Sequence, residues 1–319
     1  EGIDPSGQGS ASASAGSGRD PDAPNDPDCG SVTVDVQRTT PTLVLLVDQS
    51  GSMTTDFQGQ QRWDAVYETL MAPGEGVVAR LQSSVRFGLT LYSSQDGFDG
   101  GECPMLTTVE PRFGNLEAID DTFSAAGPLD ETPTGESLAA VAEQLAAFPE
   151  EGPKVIVLAT DGEPDTCETP NPQDGQPESL AAAEGAFALG IRTFVISVGE
   201  EIGDEHLQEL ANVGVGQPRN SPTPAPFFKA LNADELIRAF EAIVGGFLLC
   251  EFQIDGEIAE GRDCDGAVTI DGEALACGPE FEVEGRSLRL LGEACERLGD
   301  GGQHVVEAQW PCGAIIPVP

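Results

Sequence analysis

The chain has 319 residues, enough for one medium domain and a smaller companion, each with its own core. Its 55 Asp and Glu against 15 Lys and Arg leave a formal charge of −40 at pH 7. So acidic a body repels phosphate backbones and anionic lipid heads, which excludes nucleic-acid binding and docking on acidic membranes and favours cation binding.

Residues 1–28 are mostly Ser, Gly, Ala, Pro and Asp with Ile3 as the only large aliphatic, and a segment with so little to bury reads as a flexible tether. From Val32 the character changes. Leu43–Val47 is an unbroken aliphatic run, the pattern of a strand covered on both faces. Similar runs recur at Val85–Tyr92, Val155–Ala159 and Ile191–Val198. Between them lie helical spacings: Trp63, Val66 and Leu70; Leu138, Val141, Leu145 and Phe148; Leu236, Ile237, Phe240 and Ile243. This alternation predicts an α/β unit over 29–246, a doubly wound and mainly parallel sheet between helices. After Gly245-Gly246 the pattern breaks. Residues 247–319 carry five of the eight cysteines and short alternating segments such as Phe252/Ile254, Val268/Ile270 and Leu288/Leu290. They predict a small, disulfide-stapled, β-rich module, because a core of that size is marginal without cross-links.

The first long run ends in Asp48-Gln49-Ser50-Gly51-Ser52. Loops at the carboxyl ends of parallel strands line the ligand crevice of such a sheet. Thr132-Pro133-Thr134-Gly135, before the Leu138 helix, and Asp161-Gly162, after the Val155 strand, fall at comparable positions. Carboxylates and hydroxyls without thiolate or imidazole suit Mg²⁺, Mn²⁺ or Ca²⁺ rather than zinc or copper. A simple turn with capping serines would explain Ser50 or Ser52 alone, but not Thr132 and Asp161 as well. No nucleophile elbow, P-loop or dinucleotide-binding glycine pattern follows the first strand, so no enzymatic activity is expected.

In these residues the sequence resembles the von Willebrand factor A domain family, whose metal-ion-dependent adhesion site is Asp-x-Ser-x-Ser, a distant Thr and a distant Asp-Gly. The resemblance spans residues 32–246. It implies Ser50 and Ser52 as direct ligands of a Mg²⁺ ion, with Mn²⁺ or Ca²⁺ as alternatives, and Asp48 and Asp161 as ligands largely through water. Thr132 becomes the switchable hydroxyl ligand, and Thr134 is read as capping the next helix. Two carboxylates balance one divalent ion, which leaves it able to take an Asp or Glu carboxylate of a partner protein. The implied function is metal-dependent protein binding or adhesion by a secreted or surface-tethered protein. A self-associating structural subunit of a surface filament or envelope assembly is the alternative.

Eight cysteines without a Cys-x-x-Cys pair indicate a disulfide framework made in an oxidising compartment, hence an extracellular, cell-surface or periplasmic location. In the architecture the resemblance implies, Cys29 pairs with Cys250 on the face opposite the metal and Cys103 with Cys167 on the metal face. Cys264–Cys277 and Cys295–Cys312 then staple the tail module, which resembles the C-terminal region of exported bacterial A-domain proteins and lipoproteins. The chain starts at Glu1 rather than Met, so any export signal or lipid-modified cysteine has been removed or lies upstream, and no direct membrane insertion is expected. Asp96, Asp99 and Glu102 read as a solvated loop beside the metal face. His206 reads as a helix-surface residue among acids. Asp263–Asp271 lacks the glycine and glutamate of a calcium loop. Trp63 and Trp310 read as core.

Overall fold

The computed structural model describes residues 31–34, 36–38, 40–95, 101–169, 173–298, 304–311 and 313–316. The expected tether at 1–28, together with Asp96, Asp99, Cys29 and Cys312, lies outside the described residues. Two short strands, β1 (Ser31–Val34) and β2 (Val36–Arg38), precede β3 (Thr42–Asp48), whose seven residues are all buried. A hairpin of β4 (Asp56–Phe57) and β5 (Gln60–Gln61) leads into α1 (Arg62–Met71) and α2 (Val77–Leu81). Then come β6 (Arg86–Gln95), β7 (Glu102–Arg112), α3 (Leu116–Ala125), α4 (Thr134–Ala146) and β8 (Lys154–Thr160). The unit closes with α5 (Gln176–Ala188), β9 (Ile191–Val198), α6 (Asp204–Gly214), β10 (Phe228–Ala230) and α7 (Ala233–Cys250).

The unbroken aliphatic runs form the middle of a six-stranded sheet of order β10-β9-β8-β3-β6-β7, parallel throughout except for β6 with β7. Because side chains alternate along a strand, β3 feeds two cores. Leu43, Leu45 and Val47 join Trp63, Phe123 and Phe240 under α1, α3 and α7. Val44 and Leu46 join Leu138, Leu180 and Leu207 under α4, α5 and α6. A sheet covered on both faces by crossover helices places every loop at its carboxyl edge on one surface, and the candidate residues lie there.

From Cys250 the chain passes directly into β11 (Glu251–Ile254). It continues through β12 (Glu257–Ile258), β13 (Ala267–Ile270), β14 (Glu273–Ala274), β15 (Phe281–Glu284), β16 (Ser287–Leu290), α8 (Gly292–Leu298), β17 (Val306–Pro311) and β18 (Ile315–Ile316). Two four-stranded antiparallel sheets, β1-β17-β13-β14 and β15-β16-β11-β2, enclose Phe252, Ile254, Ile270, Phe281, Leu288 and Trp310. This corrects the reading of residues 29–38 as the start of the α/β unit. β1 pairs with β17, Val32 opposite Trp310, and β2 pairs with β11, Val36 opposite Ile254 and Arg38 opposite Phe252. The physical reason is in the pattern: Val32, Val34 and Val36 alternate with polar residues, which suits an antiparallel sheet and not the two-sided burial of a parallel one.

Among the described residues the disulfides are Cys103–Cys167, Cys264–Cys277 and Cys250–Cys295. The last replaces two expected bonds, Cys29–Cys250 and Cys295–Cys312. α8 follows β16, the antiparallel neighbour of β11, and this sets Cys295 beside Cys250 with Cα atoms 5.2 Å apart. The opening strand β1 belongs to the other sheet. Among the described residues no helix is long and apolar enough to cross a membrane.

Candidate metal centre

Asp48 ends β3 and Asp161 directly follows β8, the parallel neighbour in which Ala159 stands opposite Val47. The two carboxylates therefore reach the same edge of the sheet from adjacent strands. Ser50 and Ser52 follow on the turn into a short 3₁₀ segment, Gly51–Thr54. Asp48 is fixed on both oxygens: the Ser50 backbone N–H donates to Oδ1 at 2.8 Å and the Thr160 hydroxyl to Oδ2 at 2.6 Å. The Ser50 and Ser52 hydroxyls lie 2.9 Å apart, and Ser52 donates to Asp161 Oδ1 at 2.6 Å. A β-carbon added at Gly162 would stand 3.6 Å from Ser52 Oγ and 3.9 Å from Thr132 Oγ1, so both hydroxyls bound the small space that this glycine leaves open. The structure thus gathers Asp48, Ser50, Ser52, Thr132 and Asp161. Asp48, Ser50, Thr132 and Asp161 are buried, while Ser52 is exposed and opens the cluster to solvent.

Thr134 is not a cap. It is the first residue of α4, its cap position is Pro133, and its hydroxyl lies 3.1 Å from the Tyr92 hydroxyl. Burial, together with the nearby negative charge of Asp161, pushes Asp48 up to about 6. Burial likewise raises Asp161, against the hydrogen bonds from Ser52 and Arg62. Two buried carboxylates with oxygen-rich surroundings are the kind of donors that suit a hard divalent cation. Among the described residues no cluster of three or more His, Cys, Asp or Glu could hold a metal, so any site here relies on hydroxyls.

Several neighbours escaped the sequence reading. Arg62, the first residue of α1, donates to Asp161 Oδ2 at 2.8 Å and pairs through its other arm with Glu201 after β9. A cation at a helix N-terminus opposes the helix dipole, and in a chain so poor in basic residues that was a usable signal. Asp165 accepts the Thr132 N–H at 2.7 Å and returns its own N–H to the Thr132 carbonyl, clamping that loop. Burial raises the Asp165 carboxyl to about 7. His206 is buried, not on the helix surface: it joins Leu207 and Leu210 of α6 around a cavity of about 10 Å³ lined by Thr134, Thr160 and Gly162. The Asp263–Asp265 stretch is a short 3₁₀ turn with Asp265 paired to Arg262, and Asp271 pairs with His304 at 2.7 Å.

The von Willebrand factor type A domain model matches residues 42–237. The chain belongs to the von Willebrand factor type A (vWA) domain family. The vWA match begins at β3, the strand at which the structure leaves the module and enters the parallel sheet. A relative is the uncharacterized protein YwmD of Bacillus subtilis (strain 168), 26% identical over 208 residues, or 62% of this chain and 83% of that protein. The pilus adhesin SpaC of Lactobacillus rhamnosus GG superposes with a TM-score of 0.51 at 17% identity, over 89% of this chain and 42% of that one. The PilB minor pilin of Streptococcus sanguinis gives 0.50 at 17% identity, over 65% and 60%. The chain spans less than two thirds of either solved protein, and the likeness is one of fold.

Proposed function

We propose that this chain is a binding protein whose vWA unit, from about Thr42 to the end of α7, takes a divalent cation, Mg²⁺ in the first instance, and holds a carboxylate of a partner protein through it. The observation that carries the reading is that the Ser52 and Thr132 hydroxyls bound the gap at Gly162 while Ser52 also hydrogen-bonds Asp161 and lies 2.9 Å from the Ser50 hydroxyl. Ser50 and Ser52 would bind the ion directly, Asp48 and Asp161 largely through water, and Thr132 would complete the set. When bound, the ion supplies a Lewis-acidic centre with a position for one anionic oxygen from outside. The chain's own groups do the rest. The Ser50 N–H and Thr160 hydroxyl orient Asp48, the Asp165 clamp holds the Thr132 loop, and exposed Ser52 marks the approach.

Three disulfides among the described residues fit export to an oxidising compartment, on a cell surface or beyond it. SpaC and PilB, both pilus proteins with the same fold, support a surface role; the second of them supports self-assembly as the other reading. The β module of residues 31–38 and 251–316 joins both ends of the vWA unit. A pull-down from the native source with Mg²⁺ and with EDTA tests the proposal. Capture should require Mg²⁺ and vanish in Asp48→Ala while that variant still melts cooperatively; capture that survives both chelation and the substitution refutes the site.

A further inference from the structure

Resting on the metal-site reading above, we propose that Arg62 is a built-in counter-cation: it holds one oxygen of Asp161 and thereby lowers the affinity of the site for a divalent ion. Its guanidinium is buried, with a side chain only 5% exposed against 0% for Asp161. Burying an ion is unfavourable unless charged partners offset its lost hydration, and here Asp161 and Glu201 are the partners. The compensation is incomplete, since Arg62 Nε is buried without a hydrogen-bond partner among the described residues. The surroundings are nonetheless shaped for it. Gly199, at φ +122°, passes so close that a β-carbon there would lie 2.6 Å from Arg62 Nη2 and 2.9 Å from Cζ.

The division of Asp161 gives the arrangement its meaning. Oδ1 accepts from Ser52, a candidate ligand, and Oδ2 accepts from Arg62. Asp48 and Asp161 carry two negative charges, and Arg62 cancels one of them from inside the protein. A divalent ion entering beside these residues meets that positive charge at short range and in a medium of low polarity, where repulsion is strong. Glu201, half exposed, draws the guanidinium the other way and moderates its hold on Asp161. Arg62 acts through Asp161 and is a positioning residue, not a ligand.

The test uses the full chain, Mn²⁺ titrated by calorimetry, and thermal melts in EDTA and in Mn²⁺. Arg62→Met, which keeps the volume and removes the charge, should bind Mn²⁺ about tenfold more tightly or better. It should melt lower than wild type in EDTA, with the difference recovered in Mn²⁺. Arg62→Lys, which keeps the charge, should stay near wild-type affinity. Should Arg62→Met fail to fold, Glu201→Gln carries the test: with its counter-pull gone, Mn²⁺ affinity should fall several-fold. Unchanged or weaker binding by Arg62→Met, or unchanged or tighter binding by Glu201→Gln, overturns the proposal while leaving the metal site intact. If wild type itself takes no Mn²⁺, the metal-site reading fails and this one with it.

Discussion

Replacing Gly162 by Ala separates folding from metal binding at the point where the two meet. The added methyl would sit 3.6 Å from Ser52 Oγ and 3.9 Å from Thr132 Oγ1, ordinary van der Waals distances, and the backbone there is outside the left-handed region. Nothing in the fold has to move. A glycine-to-alanine change at such a position restricts the unfolded chain and stabilises by about 0.4–1 kcal/mol. The same methyl fills the space that the two hydroxyls share. Loss of one ligand contact should weaken Mg²⁺ or Mn²⁺ binding by about tenfold or more, ~1.4 kcal/mol. Gly135→Ala is the contrast. Its β-carbon would meet the Glu178 backbone carbon and Cβ at 2.8 Å, where α4 packs on α5, and overpacking of that kind costs about 1–3 kcal/mol. Chemical denaturation and Mn²⁺ calorimetry on both variants give the answer. A Gly162→Ala protein that binds Mn²⁺ as tightly as wild type would show that the oxygens around Gly162 are not the metal site, and one that loses more than about 1 kcal/mol of stability would show that the fold does not accept the methyl unmoved.

A chain starting at Thr40 lacks β1 and β2 and leaves β17 and β11 with unpaired edges. It should lose several ladder hydrogen bonds, each worth about 0.5–1.5 kcal/mol, and limited proteolysis should cut the module while sparing the vWA unit; equal resistance of both would contradict the shared-strand topology. A non-reducing peptide map should join the Cys250 and Cys295 peptides, and a Cys29–Cys250 link would restore the scheme that the structure overturns. Burial holds His206 below its ordinary pKa against the opposing pull of Glu163 and Glu209. The unfolded chain therefore takes up that proton first, so this group's contribution to stability is present above about pH 6.5 and declines as the pH falls below it. His206→Asn should make the loss of stability between about pH 7 and 5 shallower, and an identical slope in the two proteins refutes the assignment.

Much of the fold was legible because β3 and β8 hold the unbroken aliphatic runs Leu43–Val47 and Val155–Ala159, and β6 and β9 are apolar enough on both faces to lie in the same two-sided parallel sheet. The three candidate loops were legible because chain order and position put them at one edge of such a sheet, and the choice of Asp48, Ser50, Ser52, Thr132 and Asp161 within them came from the resemblance to the vWA family. Thr134 was misread because a hydroxyl at a helix start serves a cap or a tertiary partner equally well in sequence, and Tyr92 decided between them. His206 was misread because its acidic neighbours in the chain hid the face on which it packs.

By itself, then, the sequence determined whatever depends on local pattern: strand and helix periods, the loops that end the strands, the excess of acid and an oxygen-only donor set. Tertiary structure decided the pairings between distant positions. Arg62 meets Asp161 across 99 positions, Val32 stands opposite Trp310 from the other end of the chain, and Cys250 bonds Cys295 instead of Cys29. The physical reason is that a hydrophobic period constrains a residue's face through its immediate neighbours, whereas an ion pair, a ladder or a disulfide needs two specific atoms brought together by the packing of the whole chain.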